Sequence, residues 1–196
     1  HFGRWMEEAI AKGRVFPRKT PIIRPQKNPM EWRANVTQLA MPDGSAVDCT
    51  NAEQLSWAEM EGRRQIVDFF EFLRGTAPGF ENAYILEIAP QVGVRETRRI
   101  VGGYQLTEED VLQCVSFDDA IGVNGWPIEA HVAGDVLFKF PDIPKVLGYN
   151  QLPYRMIVPQ AIDNLLVAGR CASLTHMGQS GAPVSGAGFG MGEAAG

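Results

Sequence analysis

His176 is the residue of this sequence that is best placed to do chemistry. It stands in a loop between a short apolar run and a segment of very small residues. An imidazole can give or take a proton near neutral pH. A lone histidine is more often structural than catalytic, but its place beside the small-residue segment makes His176 the candidate base. His131, in a predicted strand beside Trp126, is a weaker candidate.

The small-residue segment runs from Ser185 to Gly196 and has helical spacing. Gly188, Gly192 and Gly196 recur every four residues, so a helix would carry them on one bare face. Each glycine inside a helix costs about 1 kcal/mol relative to alanine. The pattern therefore predicts that something lies close to this face, either another backbone or a flat ligand.

Two interpretations of this helix remain open from its pattern. In one, the helix packs tightly on a sheet and binds nothing. In the other, its first N–H groups and its dipole face an anionic or electron-rich group. The spacing is not the dinucleotide fingerprint G-x-G-x-x-G, because Met191 stands where the third glycine is required.

Just before the loop that carries His176, the run Leu165–Ala168 ends at Gly169. A short apolar run bounded by glycine predicts a strand that is buried on both faces. The whole stretch from Asn164 to Gly196 is therefore predicted to be strand, loop and glycine-rich helix, an order that presents backbone N–H groups to a ligand.

Composition excludes several classes of function. The net charge of -5 argues against a nucleic-acid surface, and no apolar run approaches the ~18 residues of a membrane span. The three cysteines are far apart and predict reduced thiols in a protein of cytoplasmic type. No histidines and carboxylates have metal-ligand spacing, and no phosphate-binding P-loop is present.

A hydrolase triad is also disfavoured. The stretch Gly178–Ala182 is near to the G-x-S-x-G nucleophile elbow, which needs an acid and then a histidine later in the chain. After Ser180 the chain contains Glu193 but no histidine.

Upstream, the patterns predict short strands mixed with helices. Helical spacing covers 2–12, a capping box at 50–53 opens a long helix that Gly75 ends, and a second cap at 107–110 opens a short helix. A turn at 42–45 and Asn124-Gly125 predict two hairpins. Strands are predicted over 32–39, 46–49, 83–89 and 136–140, and an extended segment over 152–159.

The segment from Arg95 to Arg99 is densely charged and directly follows a predicted buried strand. Charged residues that enter a core region are either paired with one another or face a site. A mutual Arg–Glu network is the favoured interpretation, and a catalytic role for one of these residues is the alternative.

Several segments together resemble one known family. They include APQVGVRETRRIVGGYQLTEEDV, GWPIEAH, LPYRMIVPQAIDNLLVAGRCAS and GMGEAAG, in this order. The sequence is similar to FAD-dependent oxidoreductases of the glutathione-reductase-like, two-domain type, many of them bacterial. The resemblance runs from about Ala46 to Gly196 and rests on the agreement of order, spacing and several rare combinations.

The resemblance implies an α/β fold, mixed α+β within this sequence, as part of a two-domain, Rossmann-like FAD/NAD(P)-binding architecture. Residues 1–160 would belong mostly to the substrate-side domain with its mixed sheet. Residues 161–196 would form the last strand and the glycine-rich helix of the FAD domain. Both ends of the sequence look cut, so we expect an N-terminal FAD-binding part, and any targeting segment, upstream.

The resemblance also implies roles for individual residues. Gly169 and Arg170 would lie near the pyrophosphate and ribityl chain of FAD. The helix start, from Gly186 to Gly192, would approach the flavin ring, where a helix N-terminus stabilises the negative charge of the reduced flavin. The cofactor-binding candidates are Gly169, Arg170, Gly186, Gly188, Gly190 and Met191.

Arg95 joins His176 as a catalytic candidate, and Tyr154 and Arg155 are candidate substrate anchors. The expected activity is hydride transfer from a small, hydroxylated organic substrate to flavin N5. The segment 181–188 departs from the family, in which an arginine and bulkier residues are usual. Fewer charges near the flavin leave open a non-catalytic module that keeps the flavin fold.

Overall fold

The computed structural model describes residues 2–132, 134–182 and 184–196. These residues form two compact units. Among the described residues, the first contains 2–94 with 134–135, and the second contains 95–132 with 136–182 and 184–196. The structure combines helices with short two-stranded sheets, so the predicted mixed α/β character is confirmed. The assignment of 1–160 and 161–196 to a substrate and an FAD domain stays a prediction.

The first unit is built around one long helix. It contains helix α1 (Phe2–Ala11), strands β1 (Ile22–Pro25) and β2 (Trp32–Asn35), which pair in antiparallel fashion, and helix α2 (Ala52–Thr76). Phe16 packs edge-on against Phe69 and Phe72 of α2, and together they form the centre of an apolar core. Asn51 caps α2 by accepting hydrogen bonds from the backbone N–H groups of Glu53 and Gln54.

The second unit contains helix α3 (Glu108–Leu112), strands β3 (Ala120–Asn124), β4 (Ile128–Val132), β5 (Asp135–Lys139) and β6 (Asn150–Pro153), and helices α4 (His176–Gln179) and α5 (Ser185–Ala195). Strand β3 pairs antiparallel to β6, and β4 pairs with β5. Two short 3-10 turns cover Tyr154–Met156 and Gly169–Cys171. The fully buried core side chains are Leu106, Ile128, Leu152, Met156, Ile157, Leu174 and Met191.

The predicted strand over Leu165–Ala168 is wrong for this structure. The segment is extended but carries no strand, and its residues are only half-buried or exposed. Strands are stable when a ladder of backbone hydrogen bonds satisfies them. Here the described ladder consists of one bond, from Val167 N to Ile157 O at 2.9 Å.

Strand prediction also fails at 46–49 and 83–89, where the described chain has no strand. In the first case β2 pairs with β1 and leaves the segment 46–49 without a partner. In the second, Tyr84 and Leu86 are largely exposed. An apolar alternation indicates a strand only where another strand lies beside it, and the pattern does not report that partner.

The predicted Asn-Gly hairpin does not form either, because the strands on its two sides pair elsewhere. The Asn124 side chain is buried and holds a different turn. Its Oδ1 accepts from Trp126 N at 3.2 Å, while its Nδ2 donates to Trp126 O at 3.2 Å and to Asn150 Oδ1 at 3.0 Å. This turn leads the chain away from β3 and leaves β3 to pair with β6.

Asp110 takes part in capping the N-terminus of α3. Its carboxylate accepts hydrogen bonds from Thr107 N and Thr107 Oγ1, and from the hydroxyl of Tyr104 at 3.0 Å. In return Thr107 Oγ1 accepts from Asp110 N, which completes a capping box. Burial, reinforced by the hydrogen bond to Asp110, raises the pKa of the Tyr104 hydroxyl.

We predict that Asp110→Ala lowers the free energy of unfolding by about 1–3 kcal/mol, because a buried cap and its hydrogen bonds are lost. The pKa of Tyr104 should fall towards its ordinary value in the same variant. Denaturant unfolding and tyrosinate absorbance measure the two effects. Glu109→Ala, an exposed neighbour in α3, should change stability by no more than about 0.5 kcal/mol. Equal effects of both substitutions would contradict the prediction.

Candidate functional site

The glycine-rich helix that the spacing predicts is present in the structure as α5. Its inner face is fixed by Ala187 and Met191, which are buried in the core of the second unit. Met191 is a cofactor-binding candidate, but its side chain is completely buried among core residues. Any contribution of Met191 to a ligand would therefore come from its main chain.

The bare face of α5 is the flank that carries Gly188 and Gly192, whereas Gly186 and Gly190 lie on the opposite flank of the helix. A Cβ atom built on Gly186, Gly188, Gly190 or Gly192 would have no heavy atom within 4 Å, apart from the helix's own backbone and chain neighbours. Main chain on each of these flanks is thus open. The side chain of Phe189 lies between the two flanks, opposite Ala187 and Met191, and is 77% exposed.

Other glycines of the same unit have a packing reason that those of α5 lack. A Cβ on Gly178 would collide with the carbonyl of Leu106, and one on Gly181 would lie 2.8 Å from Ile128 Cδ1. A Cβ on Gly102 would lie 2.7 Å from Ser173 Cβ. In α5 no such neighbour compensates for the helix-destabilising effect of glycine, about 1 kcal/mol per residue.

The N-terminus of α5 has no side-chain cap. Helices α2, α3 and α4 are capped by the side chains of Asn51, Thr107 and Thr175. The N-cap of α5 is Val184, which makes no such hydrogen bond. The first N–H groups of a helix have no partner inside the helix, so this end can donate to an electron-rich group.

The turn Gly169–Cys171 packs against α5. Gly169 has φ +85°, a left-handed conformation that strongly favours glycine, and its Cα faces open space. Arg170 follows on the exposed side of the turn. The structure therefore brings Gly169 and Arg170 to the helix that carries the other four predicted cofactor-binding residues.

His176 is the first residue of α4 and its side chain is 73% exposed. Its Nδ1 lies 2.7 Å from Glu96 Oε2. The other oxygen of Glu96, Oε1, lies 2.7 Å from Arg99 Nη1. The Arg–Glu network expected within 95–99 is thus present as the Glu96–Arg99 pair, and it extends to His176.

The side chain of Arg95 is exposed. Its carbonyl accepts a hydrogen bond from Gln179 Nε2 at 3.3 Å, so its main chain lies beside α4. Arg95 and His176 are therefore brought to one region, as candidates of the same predicted site should be.

Arg155 has a structural partner that the sequence does not reveal. Its Nε donates to Asp119 Oδ2 at 2.9 Å and its Nη2 donates to Asp119 Oδ1 at 3.2 Å. Its guanidinium also lies over the ring of Tyr104, and the hydrogen bonds from Arg155 lower the pKa of Asp119. This guanidinium is engaged within the fold, whereas Tyr154 beside it is 38% exposed.

The described part of the chain contains neither a cluster of metal-ligating side chains nor a membrane-spanning helix. Within 2–132, 134–182 and 184–196, no group of three or more metal-ligating side chains converges. No helix among these residues is both long and apolar enough to cross a membrane. The three cysteines are free.

A family model described as FAD dependent oxidoreductase matches residues 3–196. The chain belongs to this family. FAD is accordingly the cofactor that its membership implies. Comparison with curated proteins and with solved structures gave no match.

The residues present fit this flavin group. A planar ring system needs main chain without side chains on one surface, and the flank of Gly188 and Gly192 provides such a surface. The uncapped start of α5 adds N–H donors. Pro183, part of the segment in which the sequence departs from its relatives, lies outside the described residues.

Sequence reasoning did not assign roles to Glu96, Arg99 and Gln179. The dense charge of 95–99 was the available signal, but nothing in it names His176 as the partner. Glu96 and His176 are separated by 80 positions in the sequence, and only the fold brings their side chains together.

We predict that Gly188→Ala, in the complete protein, weakens FAD binding about tenfold or more, which corresponds to about 1.4 kcal/mol. The added methyl group would hold a flat ligand away from the main chain. The fold should be as stable as before or gain up to about 1 kcal/mol, since alanine favours helix and meets no neighbour. Fluorescence titration of the apoprotein with FAD measures the affinity.

Gly3→Ala is the matched control, because it also adds a methyl group to a helical glycine with open space around it. It should leave FAD affinity unchanged. The same dissociation constant for Gly3→Ala and Gly188→Ala would show that the bare face of α5 does not meet the cofactor.

Proposed function

We propose that this protein oxidises a small, hydroxylated organic substrate, with bound FAD accepting the hydride at N5. The bare, uncapped glycine helix α5 is the observation that carries the proposal, since packing within the described residues gives no reason for its glycines. Family membership supplies the redox class. The substrate side of the proposal rests on His176 and the residues around it.

The main chain of Gly186–Gly192 would hold the flavin ring. Gly169 and Arg170, on the turn that packs against α5, would hold the pyrophosphate and ribityl part of the cofactor. This division uses the chemistry of each element: bare main chain for a flat surface, and a cation beside a tight turn for phosphate. In this proposal residues 161–196 belong to the FAD domain and most of 1–160 to the substrate side.

His176 takes the proton that leaves the substrate hydroxyl. Its imidazole is largely exposed and contacts Glu96 through Nδ1, so that Nε2 would be the ring nitrogen that meets a substrate. A base must come within hydrogen-bond reach of the proton that it removes. Arg95, on the loop beside α4, would hold a polar group of the substrate, and Tyr154 offers a partly exposed hydroxyphenyl surface.

Arg155 has a different role in this proposal from the substrate anchor that its sequence position suggests. Its bidentate hydrogen bonds to Asp119 join the end of β6 to the turn before β3. A guanidinium that is already paired in this way is less available to a substrate carboxylate or phosphate.

The proposal predicts a yellow purified protein whose flavin absorbance is bleached by a sugar or polyol without oxygen. His176→Ala should slow this reduction by about 10²–10⁴-fold, the usual contribution of general base catalysis, without releasing FAD. Stopped-flow absorbance with a panel of sugars and polyols measures the rate.

Ser180→Ala is the control, because Ser180 follows α4. The one described hydrogen bond of its hydroxyl goes to the backbone carbonyl of His176, not to the imidazole. The flavin of Ser180→Ala should be reduced at the wild-type rate. Equal rates for wild type and His176→Ala would remove His176 from the mechanism. A protein that stays yellow with every compound would instead favour a flavin-binding module without turnover.

A further inference from the structure

The loop that carries Glu96 is held at both ends on the segment that carries His176. At one end, Gln179 Nε2 donates to Arg95 O at 3.3 Å. At the other, Ile100 N donates to Cys171 O at 2.9 Å. Gln179 is itself only 8% exposed, so this anchor lies inside the unit. Glu96 is therefore presented to His176 by a loop whose two ends are fixed.

Each oxygen of the Glu96 carboxylate has its own partner. Oε1 lies 2.7 Å from Arg99 Nη1, and Oε2 lies 2.7 Å from His176 Nδ1. Arginine remains protonated in proteins and gives the carboxylate a fixed cationic neighbour. With one oxygen taken by Arg99, the other is left to the imidazole. The distance from Nδ1 to Oε2 is typical of a charge-assisted hydrogen bond, whereas Arg99 Nη1 contacts Oε1 as an ion pair without hydrogen-bond geometry.

An ionised carboxylate can accept hydrogen bonds but cannot donate them. A neutral imidazole next to Glu96 Oε2 must therefore carry its proton on Nδ1 to make this contact. Nε2 is then the ring nitrogen with the free electron pair, and the side chain of His176 is largely exposed. The hydrogen bond that one ring nitrogen of a histidine makes commonly determines whether the other nitrogen carries a proton.

We infer that Glu96, oriented by Arg99, is a positioning residue that holds His176 as the Nδ1–H tautomer and makes Nε2 the base. This inference rests on the proposed function for its catalytic meaning. When the substrate O–H bond breaks, its proton forms the new Nε2–H bond, and the hydride leaves the substrate carbon with its electron pair as proposed above. Arg99 and Glu96 do not touch the substrate.

A purely structural pair would fasten the loop without deciding which nitrogen is protonated. The tautomer is thus the observation that separates the two roles, and it needs no substrate. Nitrogen-15 NMR of the histidine-labelled, FAD-loaded full-length protein reports it, at a pH at which the ring is neutral. The His176 signals are assigned by their loss in His176→Asn.

We expect the Nδ1–H form of His176 to predominate in the wild-type protein. Glu96→Ala should lower the ratio of Nδ1–H to Nε2–H about tenfold, which corresponds to about 1.4 kcal/mol. Glu109→Ala removes an exposed glutamate of the same unit and should leave the ratio unchanged. The wild-type measurement alone tests the inference if Glu96→Ala fails to fold.

A wild-type ring protonated mainly at Nε2, or an unchanged ratio in Glu96→Ala, would overturn the positioning role. Neither result would affect the proposed hydride transfer to the flavin, and the reduction rate of His176→Ala would still test whether His176 is the base. In the reverse case, the expected tautomer together with unchanged flavin reduction in His176→Ala would refute the catalytic role of His176 and leave the Glu96 contact in place. The two proposals therefore fail separately.

Discussion

Helix α5 must satisfy two opposite demands within three turns. Ala187 and Met191 anchor one side in the apolar core, where close packing leaves no room for movement. The other side carries glycines that make no packing contact and lower the intrinsic stability of the helix. A helix with this composition depends on its buried side for its place in the fold. The flank of Gly188 and Gly192 is then free to meet a ligand with main chain alone.

The elements around α5 are placed by the same core. Ala172 and Leu174 are buried in it, and they connect the turn at Gly169 to the short helix that starts with His176. Leu106, in a parallel bridge with Leu174, brings the chain that follows the charged 95–99 loop to the same place. One apolar cluster therefore supports the candidate cofactor surface, the candidate base and the glutamate that contacts it.

Periodic and capping signals gave correct predictions where they depend on local physics. Helices α1, α2 and α5 and the capping box of α3 follow from spacing and from residues that bind their own backbone. The strands at 46–49, 83–89 and 165–168 were wrong, because strand formation requires a partner that a linear pattern does not identify. The Asn-Gly hairpin failed for a related reason, since the buried Asn124 side chain stabilises another turn.

In the candidate site, too, local features could be predicted from the sequence and long-range contacts could not. Its glycine helix and His176 could be predicted, because both stand in one short stretch of sequence. The Glu96–His176 contact and the pairing of Arg155 with Asp119 could not, since they join side chains 80 and 36 positions apart. Met191 illustrates a third limit: a residue in a glycine-rich segment can serve the core and not the ligand.

A crystal structure of the FAD-loaded full-length protein tests the central claim most directly. The account predicts that the isoalloxazine ring lies in van der Waals contact with the main chain of Gly188 and Gly192, with no side chain between them. A structure in which side chains of another element cover this face of α5, and in which the flavin binds elsewhere, would contradict it.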